Sequence, residues 1–296
     1  MVRVGSTRSS RRLIINADDY GLSRGVTTGI IEAAESGVVT SASMMVNLPG
    51  FNDAVARAQS RPSLSLGLHL NLTTGKPLTA APSLTRRTSG LFYPLPLLLA
   101  RASLGRIKSS EVERECAAQL DRMIEVGISP THLDSHRHVH VHPALWPAVL
   151  RAATSRGVSN VRVPTEPLRI NAGDWKATLK KTGLLMFSRT LRGRADYSGT
   201  KHFFGLSLQG GRSFAARLFA LVPMLPEGTT ELMTHPGYSD PGLSEHDGYT
   251  WQREEELRVL CSRELRDLLQ RHEIELVSFA NRAPFTASAG KVAKHR

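Results

Sequence analysis

The chain has 296 residues, 41% of them hydrophobic, and two cysteines, Cys116 and Cys261. This is enough length for an α/β barrel of the eight-unit class and too few thiols for a disulfide framework or a cysteine-built zinc site. Its formal charge of +12 suits anionic partners, but part of the excess sits in the terminal stretches (Arg3, Arg8, Arg11 and Arg12; Lys291, Lys294 and Arg296), and no zinc-finger, RNA-recognition or basic-zipper pattern accompanies it, so no nucleic-acid partner is expected.

No apolar run reaches the roughly 18–20 residues of a membrane span. None follows the basic, Ser-rich start before Asp18 and Asp19, which predicts a cytoplasmic protein without a secretory leader. Along the chain, "RLIINADD" (12–19) is an apolar run ending in carboxylates and predicts a buried strand. "GVTTGIIEAAESG" (25–37) has apolar residues at helical spacing and a stop at Gly37. "VTSASMMVNLP" (39–49) predicts a second strand with a turn, and "FNDAVARAQSR" (51–61) a helix. In "LSLGLHLNL" (64–72), Leu64, Leu66, Leu68, Leu70 and Leu72 alternate with Ser65, Gly67, His69 and Asn71, the two-residue period of a strand.

Residues 78–105, rich in Pro, Ser and Leu, read as an irregular insertion or lid. "SEVERECAAQLDRMIEVG" (110–127) predicts an amphipathic helix closed by Gly127, and "THLDSH" (131–136) a strand running into a loop. "ALWPAVLRAATSRG" (144–157) predicts a helix despite Pro147, and "VSNVRVP" (158–164), which carries Arg162, a strand. Residues 176–192 read as a basic helix. "TELMTHPGY" (230–238) predicts a strand entering a turn, "TWQREEELRVLCSRELRDLLQRH" (250–272) one long helix, and "IELVSF" (274–279) a last strand.

Strands alternating with helices argue for a parallel sheet of βα units. The expectation is therefore an α/β fold, a distorted TIM-like (β/α) barrel with mostly parallel strands. One catalytic domain over 12–283 would lie between disordered basic tails at 1–11 and 284–296.

Polar residues gather where these strands end: Asp18 and Asp19, His69 and Asn71, Asp134 and His136, then His235. Taken singly, each has a structural explanation, as a cap, a core histidine or a turn residue. Together they fall at the end of the barrel where such folds assemble active sites. "THLDSHRHVHVHP" (131–143) adds His132, His138, His140 and His142, all on even positions with Asp134 and so on one face if extended. A barrel interior does not take so many imidazoles. A strand to about Asp134 followed by a loop leaves one or two of them as ligands.

Two imidazoles and a carboxylate with open positions describe a catalytic divalent-metal site, which serves amide, ester and phosphodiester hydrolysis alike. Two imidazoles favour Zn²⁺ on softness. Mg²⁺ suits sites where oxygen ligands and waters dominate, and Co²⁺, Ni²⁺ and Mn²⁺ stay open.

Four stretches, "LIINADDYGLSRGVTTGIIEAAESGVVTSASMMVN", "GLHLNLTTGKPL", "PTHLDSHRHVHVHP" and "ELMTHPGY", together resemble the YdjC-like carbohydrate deacetylases, in order, over about 12–279. The resemblance implies a distorted (β/α) barrel that removes N-acetyl groups from an amino sugar or chitooligosaccharide-like substrate with one divalent metal, and it suggests a homodimer. By motif it makes Asp19, His69 and His136 the metal ligands and Asp18 the catalytic base. It also places His235 in the site as the acid. Asn71, Asp134, His138 and Arg162 are candidates for contacting substrate or supporting the ligands, with Asp134 either orienting a ligand imidazole or filling a plain turn role. Two other readings compete: a phosphoesterase on a similar barrel, which would more naturally use two metals and more carboxylates, and a basic, His-rich binding protein.

Overall fold

β1 (Arg11–Tyr20) is the axis of the fold, and its last eight residues are buried. A strand covered on both faces belongs to a parallel sheet flanked by helices. The computed structural model describes residues 11–61, 63–166, 199–209 and 213–281, with Leu184, Phe187, Ser188 and Leu191 between them. The expected tails lie outside these residues, except that β1 already begins at Arg11, and so does most of the basic helix expected at 176–192.

The other strands are β2 (Ser41–Met44), β3 (Ser65–Leu70), β4 (Leu133–Ser135), β5 (His202–Phe204), β6 (Gly228–Thr234) and β7 (Ile274–Leu276). They pair in the order β4-β3-β2-β1-β6-β5, every pair parallel, and β7 also pairs with β1. β1 shares one edge between two partners: its start faces β7 through Arg11 and Ile274, its end faces β2 through Asn16 and Ser41. The sheet curls into a half-barrel with flanking helices, a TIM-like α/β arrangement.

Among the elements whose bounds are described, the helices are α1 (Arg24–Glu35), α2 (Phe51–Gln59), α3 (Leu95–Ser103), α4 (Ser109–Glu125), α5 (Trp146–Ser155), α6 (Phe214–Leu221), α7 (Pro241–His246), α8 (Trp251–Leu260) and α9 (Arg263–Arg271). Pro147 is harmless in α5 because it sits in the first turn, where its missing N–H has no helical partner to lose. None of the described helices is long and apolar enough to cross a membrane.

Besides β5, which no predicted strand covers, the fold departs from the sequence expectations in four places. Residues 78–105 are not wholly irregular, since α3 lies within them. The single helix expected at 250–272 is two, because Ser262 turns to extended backbone and caps α9 through the Leu265 N–H. The strand expected at 158–164 is reduced to one bridge between Leu133 and Val161, held by two backbone hydrogen bonds. β3 alternates in sequence but is buried throughout, so its polar side faces a packed interior. Gly67 is needed there, since a Cβ would stand 2.5 Å from the His132 ring.

Candidate metal centre

Neighbouring residues of a strand point to opposite faces, yet Asp18 and Asp19 both reach interior groups. A register shift in the β1–β2 pairing between Ala17 and Tyr20, with Asp19 in left-handed backbone at φ +71°, makes this possible. Such bulges re-aim side chains beside functional sites.

Asp19 Oδ1 stands 3.1 Å from His69 Nε2 and 3.2 Å from His136 Nδ1. His69 comes from β3. His136 comes from the 3-10 turn that follows β4. That turn, with Arg137 and His138 at positive φ, ends the extended run and separates the histidines. One donor atom each from Asp19, His69 and His136 falls within 4.8 Å of the others, and all three residues are buried.

The residues around this trio orient it. Asp134 Oδ1 is 2.7 Å from His69 Nδ1, which leaves Nε2 facing Asp19. A carboxylate behind a ligand imidazole fixes its tautomer and orientation. Asp134 Oδ2 in turn accepts a hydrogen bond from Ser43 Oγ at 2.7 Å and forms an ion pair with Arg162 Nη2 at 2.7 Å. Asp19 Oδ2 accepts a hydrogen bond from Arg253 Nη2 at 2.7 Å.

Two observations fit a divalent cation here: the donor set is one carboxylate and two imidazoles, and one donor atom from each converges on the others. Electrostatics agree in part. Burial raises the Asp19 carboxyl, but the Arg253 guanidinium and then the two imidazoles outweigh it and hold it well below the usual carboxylate range. Burial lowers His136, which favours the neutral ring a ligand needs. Burial also lowers His69, but Asp134 and Asp19 outweigh it and push that ring up to about 10, so a cation there must displace a proton.

Asp18 lies alongside. Arg162 grips it through two hydrogen bonds, Nη1 to Oδ2 at 2.6 Å and Nη2 to Oδ1 at 2.7 Å, and Asn16 donates to Oδ1 at 2.9 Å. His235 Nε2 is 4.0 Å from Asp18 Oδ2. The His235 backbone N–H donates to Glu256 Oε2 at 2.6 Å, its ring meets Tyr249 edge-on at 5.6 Å, and Gln209 Nε2 lies 3.1 Å from its Nε2.

The other candidates divide. Asn71 is turned into the loop that follows β3: its Oδ1 accepts from the Thr73 and Thr74 N–H groups, and its Nδ2 donates to Asn47 Oδ1 and the Thr74 carbonyl. His138 is half-buried with its edge against Phe203 at 6.3 Å, its Nδ1 is shielded from solvent and has no hydrogen-bond partner, and desolvation holds the ring well below its ordinary value. His132 stacks on Phe279 at 3.9 Å, His140 lies between Ser135 and the Arg162 carbonyl, and His142 faces Ser103. Thus His136 is the member of the run that joins the trio, while His69 joins from β3.

Several contributing residues escaped the sequence reading. Glu231, on β6, accepts from Arg162 Nε at 2.7 Å. Arg253 and Glu256, on α8, hold Asp19 and the His235 backbone, and both are fully buried. A usable signal existed: Arg253, Glu256, Leu257 and Leu260 recur at helical spacing, a core-facing stripe that happens to carry charges.

The model of the YdjC-like protein family matches residues 12–271. The chain is 37% identical over 271 residues to a carbohydrate deacetylase of Brevibacillus brevis, covering 91% of this chain and 98% of that protein. It is 34% identical over 270 residues to a carbohydrate deacetylase of Geobacillus stearothermophilus, covering 91% and 97%. Among solved structures, it matches an Enterococcus faecalis protein provisionally described as a cellobiose-phosphate cleavage protein, with a TM-score of 0.74 and 28% identity over 92% of this chain and 98% of that one.

Proposed function

The chain belongs to the YdjC-like protein family, and from that premise we propose that it is a metal-dependent carbohydrate deacetylase that hydrolyses the acetamide of an N-acetylated amino sugar or oligosaccharide. The observation that carries this reading is the convergence of Asp19, His69 and His136 from separate stretches of chain, with Asp134 behind His69 and a second carboxylate, Asp18, alongside.

A divalent cation held by Asp19, His69 and His136 would supply polarisation of an amide oxygen and a more acidic water. Zinc fits two imidazoles best on softness, with Mg²⁺, Co²⁺, Ni²⁺ and Mn²⁺ the other candidates. Asp18 is the base in this reading: it takes a proton from the attacking water as the C–O bond forms at the amide carbon. Arg162 and Asn16 fix its carboxylate. His235, beside Asp18, gives a proton to the sugar nitrogen as the C–N bond breaks. Acetate and a free amino sugar leave.

The two-metal phosphoesterase alternative fares worse. A second cluster, Asp18, His69 and Asp134, has cation-binding spacing, but the Arg162 guanidinium already pairs with both of its carboxylates. A fixed organic cation there fits a one-metal centre. Action in the cytoplasm on a small soluble sugar, and assembly as a homodimer, belong to the same proposal.

The test is acetate release from a panel of N-acetylated sugars that includes chitobiose. Release should stop with a chelator, return with added divalent metal, and be nearly lost in Asp18→Asn, a variant that should still bind metal. Phosphodiester turnover without acetate release would overturn the reading.

A further inference from the structure

We infer that α8 is a positioning element with two working ends: Arg253 fixes the Asp19 carboxylate and so sets the affinity for the cation, and Glu256, with Tyr249, fixes His235. The inference rests on the metal-centre reading above.

Asp19 needs such a support. Its left-handed backbone and the register shift beside it take its side chain out of the regular strand geometry that orients the rest of β1. Its two oxygens have different surroundings. Oδ1 faces both imidazoles, whereas Oδ2 receives the Arg253 Nη2 hydrogen bond at 2.7 Å. Holding Oδ2 leaves Oδ1 as the donor atom and stops the carboxylate from rotating.

Arg253 is itself braced. Its Nε donates to the Tyr249 carbonyl at 2.7 Å and its Nη2 also donates to Asp247 Oδ2 at 2.7 Å, so the segment entering α8 holds the guanidinium. A planar, forked guanidinium makes these bonds together in a way an ammonium does not.

One turn further along α8, Glu256 does the corresponding work for His235. Oε2 accepts the His235 backbone N–H at 2.6 Å, and Oε1 accepts the Tyr249 hydroxyl at 2.6 Å. The Tyr249 ring then meets His235 edge-on. Tyr249 thus joins both ends, through its carbonyl to Arg253 and through its hydroxyl to Glu256.

The experiment is calorimetric titration of the full, chelator-stripped chain with Zn²⁺, beside steady-state kinetics. Arg253→Lys, which keeps the charge and loses the fork, should bind Zn²⁺ about 10-fold to 100-fold more weakly, the effect seen when support behind a ligand is removed. Tyr249→Phe should leave Zn²⁺ affinity within about twofold of wild type, lower kcat with little change in KM, and shift the limb of the pH–rate profile that reports the acid. Should Arg253→Lys fail to fold, Asp247→Asn carries the test, because it loosens the brace at a partly exposed position and should still weaken Zn²⁺ binding. Folded Arg253→Lys, or Asp247→Asn, with wild-type Zn²⁺ affinity would overturn the role of Arg253. A Tyr249→Phe variant with unchanged kcat and pH profile would overturn the role of Glu256 and Tyr249. A wild-type chain that binds no divalent cation would instead sink the metal centre itself.

Discussion

Arg162 is shared by Asp18, Asp134 and Glu231, so one buried positive charge answers three carboxylates. Buried charge of one sign in excess is costly, and the cost falls on Glu231. Burial pushes its carboxyl up to about 7 against the opposing pull of Arg162, and its Oε2 is buried with no hydrogen-bond partner. An acid whose pKa is higher folded than unfolded binds its proton more tightly in the folded chain. Its stabilising contribution is therefore complete below the ordinary value of 4.5 and is lost as pH rises through about 7. The loss is at most about 3 kcal/mol on the usual conversion of pKa shift to free energy. Glu231→Gln should flatten this decline, read as unfolding free energies in urea from about pH 4 to 8. An unchanged slope would assign the titration to another group.

At the scale of elements, the break between α8 and α9 shows how one side chain redirects the chain. Ser262 accepts the Leu265 N–H, and α9 then packs Leu265 and Leu269 inward before β7. Ser262→Ala should cost about 1 kcal/mol of stability, the usual worth of such a cap, read by thermal or urea unfolding. No loss would mean that packing alone holds the break. Long periodic stretches with local signals were legible in the sequence: β1 ending in its two aspartates, β3 with its alternating leucines, α4 closed at Gly127, and β6 leading to His235. The bulge that brings Asp18 and Asp19 to one side was not legible, because it is a mismatch of register against β2, a property of two strands rather than one. Nor was the work of Arg253 and Glu256, since charges on a helix read as its solvent face until the buried leucines of the same stripe are set beside them. β5 was missed because its three residues lie in a stretch for which no element was predicted, whereas the equally short β4 and β7 fall inside predicted strands.

For the whole molecule, the proposed cation and Arg162 solve one problem in two ways. Among the described residues, β4 and β5 end the sheet without pairing to each other, so the backbone ladder does not close the barrel. Side chains span the interior instead. Arg162, beside β4, reaches Glu231 on β6 and Asp18 on β1, and the trio joins β1, β3 and the turn after β4. A ligand that binds the folded chain and not the unfolded one stabilises it by mass action, by about 2.7 kcal/mol at 100 times its dissociation constant. Zn²⁺ added to chelator-stripped protein should therefore raise the melting temperature by several degrees, and His69→Ala should abolish the rise. The mutant is the decisive arm, since the chain carries histidines outside the trio that can bind zinc without bridging strands. An equal rise in wild type and His69→Ala would mean that zinc acts through those other histidines, and the cation would then have no part in holding β1 to β3.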